Sequence, residues 1–422
     1  MKQFTEPMTV TIAKIVPGGQ GLGTLPDGRK VFVWNALPGE TVQVRIIKQK
    51  RTYSEAIAED VMVASPERQV PEEANYLATS PWQMMDFAAE NRYKNDIVKI
   101  LAAQEHLTVD VQDSTVHDDR QWHYRNKMEY SFWGDDAGLH LALHQRGSRG
   151  KHIVTGSRLA MPALDAAANA IVAQLNDCGV RAGDLKTIIV RCTQTGQVAA
   201  ALFVKPETFA ELSLPAELAG LRVYHSNPKS PASVPTKLLY ELGDVALHDE
   251  LLDISFTYDV DSFFQVNLPI YEKALTRIKE VCQADPVDMY AGVGSIGLSI
   301  ATRHVQLIEL DPATARMARL NADASQVEAE VVEASTEKAL EYITGKQLVI
   351  FDPPRAGLHA KVVERCLAVR PPQIMYLSCN PATQMRDLAL LQEAYEIGPL
   401  EVFNFFPRTP HIETLAVLSR RD

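Results

Sequence analysis

Four short blocks in the last third of the chain hold the residue types needed for covalent chemistry beside a bound cofactor. Asp288-Met-Tyr290-Ala-Gly292-Val-Gly294-Ser-Ile-Gly297 falls between an expected strand and an expected helix. Its glycines permit a tight turn and let a ligand approach backbone N–H groups at a helix N-terminus. The spacing also satisfies GxGxxG, so by itself it does not separate a nicotinamide cofactor from S-adenosylmethionine. Glu309 ends the next strand, where a carboxylate can accept both hydroxyls of a ribose. Phe351-Asp352-Pro353-Pro354-Arg355 ends the fourth strand of the unit. Two prolines cannot donate backbone hydrogen bonds, so the strand stops there at the carboxyl edge, where open α/β sheets bind ligands. Asp352 is thereby placed beside the pocket, and Arg355 offers a planar fork of donors.

The following strand ends in Leu377-Ser378-Cys379-Asn380-Pro381-Ala382-Thr383. Cys379 projects at the same edge, close to a helix N-terminus that favours thiolate, the form that acts as a nucleophile. Cys178, Cys192, Cys282 and Cys366 are expected to be buried and inert, the common fate of a free cysteine. Phe406-Pro407-Arg408-Thr409-Pro410-His411-Ile412-Glu413-Thr414 precedes the last strand. Glu413 is a candidate base, and His411 competes for that role because its ordinary pKa lies nearer neutrality. Each block also has a plain reading: a glycine turn, a proline strand terminator, a surface turn.

The elements that position these blocks alternate between strand and helix beyond Asp253. Strands are expected at 286–290, 305–310, 327–332, 347–351, 373–378, 398–405 and 412–418, which predicts a mainly parallel, doubly wound sheet. The last two lack an intervening helix and suit an antiparallel hairpin at one edge. Upstream, residues 8–63 read as four apolar-alternating runs between Gly and Pro turns, the pattern of a Greek-key barrel of the OB type. Pro66 and Pro71 mark a linker, 86–105 reads as helix, and 115–255 mixes strands with one long helix near 161–176. The expected division is therefore a barrel over 1–65, an α+β domain over 66–255 and an α/β domain over 256–422.

Composition agrees with such a multidomain chain. At 422 residues it exceeds the size at which one core stops growing. Hydrophobic residues at 46% and charged residues at 23% match globular averages. No apolar run reaches the roughly 18–20 residues that span a bilayer, and Met1–Glu6 lacks the apolar core of a secretory signal. Five cysteines without a CxxC pair argue against a disulfide framework and point to a reducing cytoplasm. A net charge of −11 weighs against a protein that simply coats nucleic acid. Two local clusters remain candidates for a basic groove: Arg45, Lys48, Lys50 and Arg51, then Arg120, His123, Arg125 and Lys127 with Trp122 and Tyr124.

Taken together, the blocks resemble the RNA 5-methyluridine methyltransferase family, in the branch with an N-terminal TRAM domain. The resemblance spans the TRAM-like barrel, Tyr124-Arg125-Asn126-Lys127-Met128-Glu129, Ser262-Phe263-Phe264-Gln265-Val266-Asn267, the glycine turn, and the blocks at 352–358, 378–383 and 407–414. It implies a class I, Rossmann-like methyltransferase domain, completed by a segment near 86–117. It also implies roles at matching positions. Cys379 is the nucleophile that adds to carbon 6 of uracil, and Glu413 is the base that removes the carbon 5 proton. Gln265, Tyr290, Gly292, Gly294, Glu309 and Asp352 contact S-adenosylmethionine, with Gln265, Asp352 and Arg355 near the uracil. The partner is RNA, with large-subunit ribosomal RNA favoured over transfer RNA, and the enzyme is expected to act as a cytoplasmic monomer with no metal.

One departure stands out. Many members of the family carry cluster-binding cysteines before the first helix, where this chain reads Tyr76-Leu-Ala-Thr-Ser-Pro81-Trp82-Gln-Met-Met-Asp86. The fourth ligand position falls near Ala160-Met161-Pro162, also without cysteine. Thiolates are the usual ligands of iron–sulfur clusters, so none is expected, and Trp82, Met84 and Met85 are expected to fill the space. Competing readings are an NAD-dependent oxidoreductase, an RNA-binding protein with an inactive methyltransferase domain, and a methyltransferase acting on a nitrogen or another base, which needs no cysteine.

Overall fold

A computed structural model describes residues 8–231, 233–282 and 285–422; the hexapeptide Met1–Glu6 lies outside them. Alternating apolar residues close β1 (Met8–Ile15), β2 (Gly21–Thr24), β3 (Lys30–Trp34), β4 (Thr41–Gln49) and β5 (Tyr53–Val63) into a barrel of order β1-β2-β3-β5-β4. Val10, Ile12, Val31, Val33, Val42, Val44, Ala56 and Ala58 fill its interior. The sequence pattern shows four of these strands and misses β2, whose Gly-Leu-Gly-Thr has too few side chains to display an alternation. Glycine is needed there, because a Cβ on Gly23 would lie 2.2 Å from Val10 Cγ1. Two members of the first basic cluster are neutralised across the barrel surface: Arg45 pairs with Glu59, and Lys48 with Glu55 at 2.6 Å.

The chain then folds back through 64–86 into α1 (Phe87–Gln104), capped by the Asp86 carboxylate accepting from the Ala89 amide at 2.8 Å. A seven-stranded sheet follows, built from β6 (Lys127–Asp135), β7 (Gly138–His144), β8 (Lys151–Val154), β9 (Leu185–Cys192), β10 (Val198–Val204), β11 (Gly220–His225) and β12 (Lys237–Gly243). The helix α2 (Pro162–Asp177) packs its apolar face against β7, β9 and β10. Cys178 ends this helix and is exposed, unlike Cys192, Cys282 and Cys366, which are buried. It sits in the last turn on the solvent side, beyond the apolar stripe that ends at Leu175.

A hairpin of β13 (Ala246–Leu251) and β14 (Ile254–Asp259) leads through α3 (Leu268–Val281) to the eight-stranded sheet. Its strands are β15 (Pro286–Asp288), β16 (His304–Glu309), β17 (Glu328–Glu333), β18 (Leu348–Phe351), β19 (Gln373–Ser378), β20 (Tyr395–Ile397), β21 (Glu401–Phe403) and β22 (Glu413–Arg420). The order β17-β16-β15-β18-β19-β22-β20 runs parallel through β19, and then β22 enters antiparallel with β21 beside it. Helices α4 (Ser295–Ile300), α5 (Pro312–Ala324), α6 (Ala360–Val369) and α7 (Pro381–Leu391) are its crossovers. Leu348 and Ile350 of β18 face one core while Val349 and Phe351 face the other, so the strand is an unbroken apolar run. The second core also contains Val98 and Leu101 of α1. Residues 112–116 add backbone bonds to the β21 region, Gln112 N to Leu400 O at 3.0 Å and Val116 N to Val402 O at 2.7 Å. Among the described residues, no helix is long and apolar enough to cross a membrane.

Candidate active site

Strand register gathers the reactive residues at one edge. Phe351 pairs with Tyr376, and Ser378 pairs with Thr414. One residue further along, Asp352 leaves β18 beside the end of β19, while Cys379 follows β19 opposite Glu413 of β22. All three line a single cavity of about 1880 Å³, which Gln265, Tyr290, Gly292, Glu309, Arg355 and His411 also line. Gly294 is not among the lining residues; it packs backward, and a Cβ there would lie 3.0 Å from Leu298 Cδ1 and 3.1 Å from Leu307 Cδ1. Its φ of +89° at the N-cap of α4 is a turn conformation that favours glycine.

One end of the cavity is built around Glu309. Its Oε2 accepts from the Gly292 amide at 2.9 Å and its Oε1 from the Asp311 amide at 2.7 Å. The carboxylate is thus fixed at the strand end with lone pairs to spare for hydroxyls. Gly292, at φ +56°, has open space where a Cβ would stand, so a ligand can lie against the turn. Behind it, buried Asp288 accepts from the Gly297 amide at 3.0 Å and keeps one carboxylate oxygen unpartnered. Burial pushes its pKa up to about 7. An acid at the end of the second parallel strand, beside an open glycine turn, is a donor and acceptor set that fits an adenosine-bearing cofactor.

The end of the cavity at Cys379 is crowded with acids. Burial first, and then the Glu413 and Asp352 carboxylates, push the Cys379 thiol up to about 11, against the nearby Arg355 guanidinium. The helix N-terminus expected to favour thiolate is present, since α7 starts at Pro381, but burial and two neighbouring acids outweigh it. Glu413 is itself buried, and burial plus Asp352 hold its pKa well above the carboxylate range. Asp352 is raised to about 7 by burial and then by Asp288. His411 moves the other way, down to about 4, through burial and the positive charge of Arg355. Its Nδ1 lies 3.2 Å from Arg355 Nη2 and accepts from it. The carbonyl of Arg355 accepts from Asn380 Nδ2 at 2.8 Å, tying the proline turn to the start of α7.

This clustering has a measurable consequence for stability. The ordinary pKa of an aspartate here is 3.8 and the folded value of Asp352 is about 7. As pH rises from 3.8 to 7 the unfolded chain ionises first, so stability falls across that window and then levels off. Replacing Asp352 with Asn is therefore expected to raise stability by about 2 kcal/mol at pH 8, after allowance for partial solvent access. The gain should shrink toward pH 4 in melting curves at matched ionic strength. A variant equally or less stable at pH 8 would contradict the assignment.

Some positioning residues escape the sequence pattern. Asn126 sits in a block the sequence singles out, and its side-chain amide donates to Gln265 O at 3.1 Å. Arg191 carries no such signal; buried in β9, it donates to Ser262 O at 2.6 Å and Phe264 O at 3.1 Å. These bonds fix the loop that presents Gln265. Glu90 and Lys94 of α1 are fully buried and hold the loop ahead of Glu413. Glu90 accepts from the Arg408 amide at 3.0 Å, and Lys94 Nζ donates to Phe406 O at 3.0 Å. Trp122, from the second basic and aromatic cluster, lies 5.2 Å from the Arg408 guanidinium, which it covers with Phe87 at 5.4 Å.

Comparison with known proteins finds RNA methyltransferases among those this chain is similar to. Residues 244–421 match the tRNA (Uracil-5-)-methyltransferase family model, and residues 6–58 match the TRAM domain. An uncharacterized RNA methyltransferase of Nitratidesulfovibrio vulgaris is 28% identical over 464 residues, covering 100% of this chain and 98% of that protein. Another from Thermotoga maritima is 28% identical over 442 residues, covering 98% and 99%. The crystal structure of Pyrococcus abyssi tRNA (uracil-54, C5)-methyltransferase, in complex with S-adenosyl-L-homocysteine, superposes with a TM-score of 0.78. The identity is 23%, with 97% of this chain and all of that one covered, a likeness of fold.

Proposed function

We infer, from a chain that belongs to the RNA uracil-5-methyltransferase family and carries a TRAM domain, that it methylates carbon 5 of a uridine in RNA through a covalent Cys379 adduct. The observation that supports this reading is the meeting of Cys379, Glu413 and Asp352 at the edge of the cavity that also holds Glu309 and Gln265. Carbon 5 of uracil is too weak a nucleophile to take a methyl group unaided. Cys379 gives up its proton to the Asp352 carboxylate, which leaves Glu413 free for the later step, and its sulfur adds to carbon 6; the C5–C6 π pair shifts onto carbon 5 and oxygen 4 as an enolate. Glu309 and the Gly292 turn would hold S-adenosylmethionine, which when bound would supply an electrophilic methyl group to carbon 5 and leave as S-adenosylhomocysteine. Glu413 then takes the carbon 5 proton, the C5–C6 double bond re-forms, and the Cys379 thiolate leaves.

The target base must leave its stack to reach Cys379, which favours a loop over a duplex. For the RNA itself we take large-subunit ribosomal RNA, on the TRAM barrel alone. Transfer RNA is the second reading, favoured by the fold shared with the Pyrococcus enzyme along 97% of the chain. The five unpaired cysteines suit a cytoplasmic setting. Mapping 5-methyluridine in ribosomal and transfer RNA from cells with and without the gene tests all of this. One site should vanish on deletion and return with the wild-type gene; identical maps would overturn the reading.

A further inference from the structure

The barrel reaches the catalytic loop directly. Its β1–β2 turn is closed by Gly19 N donating to Val16 O at 2.9 Å and Val16 N donating to Gln20 O at 3.0 Å. Gly19, at φ +89°, lies so close to Pro410 that a Cβ there would stand 2.2 Å from Pro410 Cβ. Pro410 immediately precedes His411 and stands three positions before Glu413. Trp82, fully buried, bridges the two parts: Nε1 donates to Gly19 O at 2.9 Å, and its backbone N donates to Arg408 O at 3.1 Å.

Two further observations make this more than a touching loop. Ile15 of β1 and Leu37 of the barrel belong to the same apolar core as Val349 and Phe351 of β18. Arg68, in the segment leading to Trp82, grips buried Glu40 of the barrel with two bonds, Nε to Oε1 at 2.5 Å and Nη2 to Oε2 at 2.7 Å. A domain that only captured RNA would need no such docking, since flexible tethering already confers the gain in local concentration. Arg408 itself is held at φ +65°, a conformation a non-glycine residue keeps only when its surroundings impose it.

We propose that the Val16–Gln20 turn and Trp82 are positioning elements of the methyl-transfer site, setting the loop that carries His411 and Glu413 as well as serving RNA capture. This rests on the function proposed above. A positioning element acts on turnover at saturating substrate, whereas an RNA-capture surface acts on KM. Displacing a reacting group by about 1 Å can lower a rate by about 10²-fold, so a partial shift of this loop should lower kcat about tenfold.

The test uses the full chain, S-adenosylmethionine with a labelled methyl group, and total RNA from cells lacking the gene. Trp82→Phe keeps an aromatic six-membered ring but removes the pyrrole part of the indole with its donor to Gly19; Gly19→Ala forces the turn away from Pro410; Pro410→Ala removes the contact from the other side. All three should lower kcat about tenfold with KM within about twofold, assayed well below each variant's melting temperature. A rise in KM with kcat unchanged, or a lower melting temperature with kcat unchanged, would overturn the proposal. If Gly19→Ala does not fold, the other two variants decide. A wild-type enzyme that methylates none of this RNA would sink the function reading instead.

Discussion

Replacing Cys379 with Ala is expected to lower methyl transfer by about 10⁴-fold or more, the scale seen when a covalent nucleophile is removed. The other four cysteines provide the internal control. Cys192, Cys282 and Cys366 are buried in apolar cores, which pushes their thiols up to about 12, and Cys178 lies on the surface. RNA carrying 5-fluorouridine sharpens the result. Fluorine blocks the proton abstraction that would release the enzyme, so the adduct persists through denaturing electrophoresis. It should map by mass spectrometry to Cys379 and vanish in the alanine variant. Full turnover by that variant would favour methylation of a nitrogen, which has no use for a thiol.

Glu413→Gln should produce a different failure. Addition and methyl transfer stay possible, but the carbon 5 proton has lost its acceptor, so turnover should drop by about 10²–10⁴-fold. The trapped species should then contain protein, RNA and one added methyl group, a mass that Cys379→Ala never yields. The wild type should show a matching pH dependence. Burial and Asp352 hold the Glu413 carboxyl protonated above the ordinary range, and only the ionised form accepts a proton. The rate should therefore go on climbing as pH rises beyond the ordinary carboxylate range; the neighbouring Asp352 is raised to about 7. A rate that falls over that range, or a Gln variant releasing product at the wild-type rate, would remove Glu413 from the role of base.

Much of the site is legible in the sequence because parallel strands buried on both faces are continuous apolar runs that stop abruptly. Val287-Asp288, Ile308-Glu309, Phe351-Asp352 and Leu377-Ser378-Cys379 each mark the point where a strand reaches the ligand edge. The residues that hold these groups in place are harder to see. Arg191 is one arginine within an apolar strand, and its bonds run to carbonyls 71 and 73 positions away. Electrostatics is the other blind spot. The position of Cys379 before a helix suggests an acidic thiol, yet burial first, and then Glu413 and Asp352, push its pKa up, and only the folded sheet brings those groups beside it.

The buried bonds of α1 also constrain how the molecule is made. Lys94 meets Asn404 at 2.5 Å across 310 positions of sequence, and Glu90 meets the Arg408 amide across 318. At about 5–20 residues per second of synthesis, α1 waits roughly 15–60 s for those partners to emerge. Until then two charges destined for the interior stay hydrated, and the apolar stripe of α1 around Val98 and Leu101 has no sheet to cover. The nascent barrel and central sheet can form early, but the enzyme closes around its first helix only as the last strands leave the ribosome.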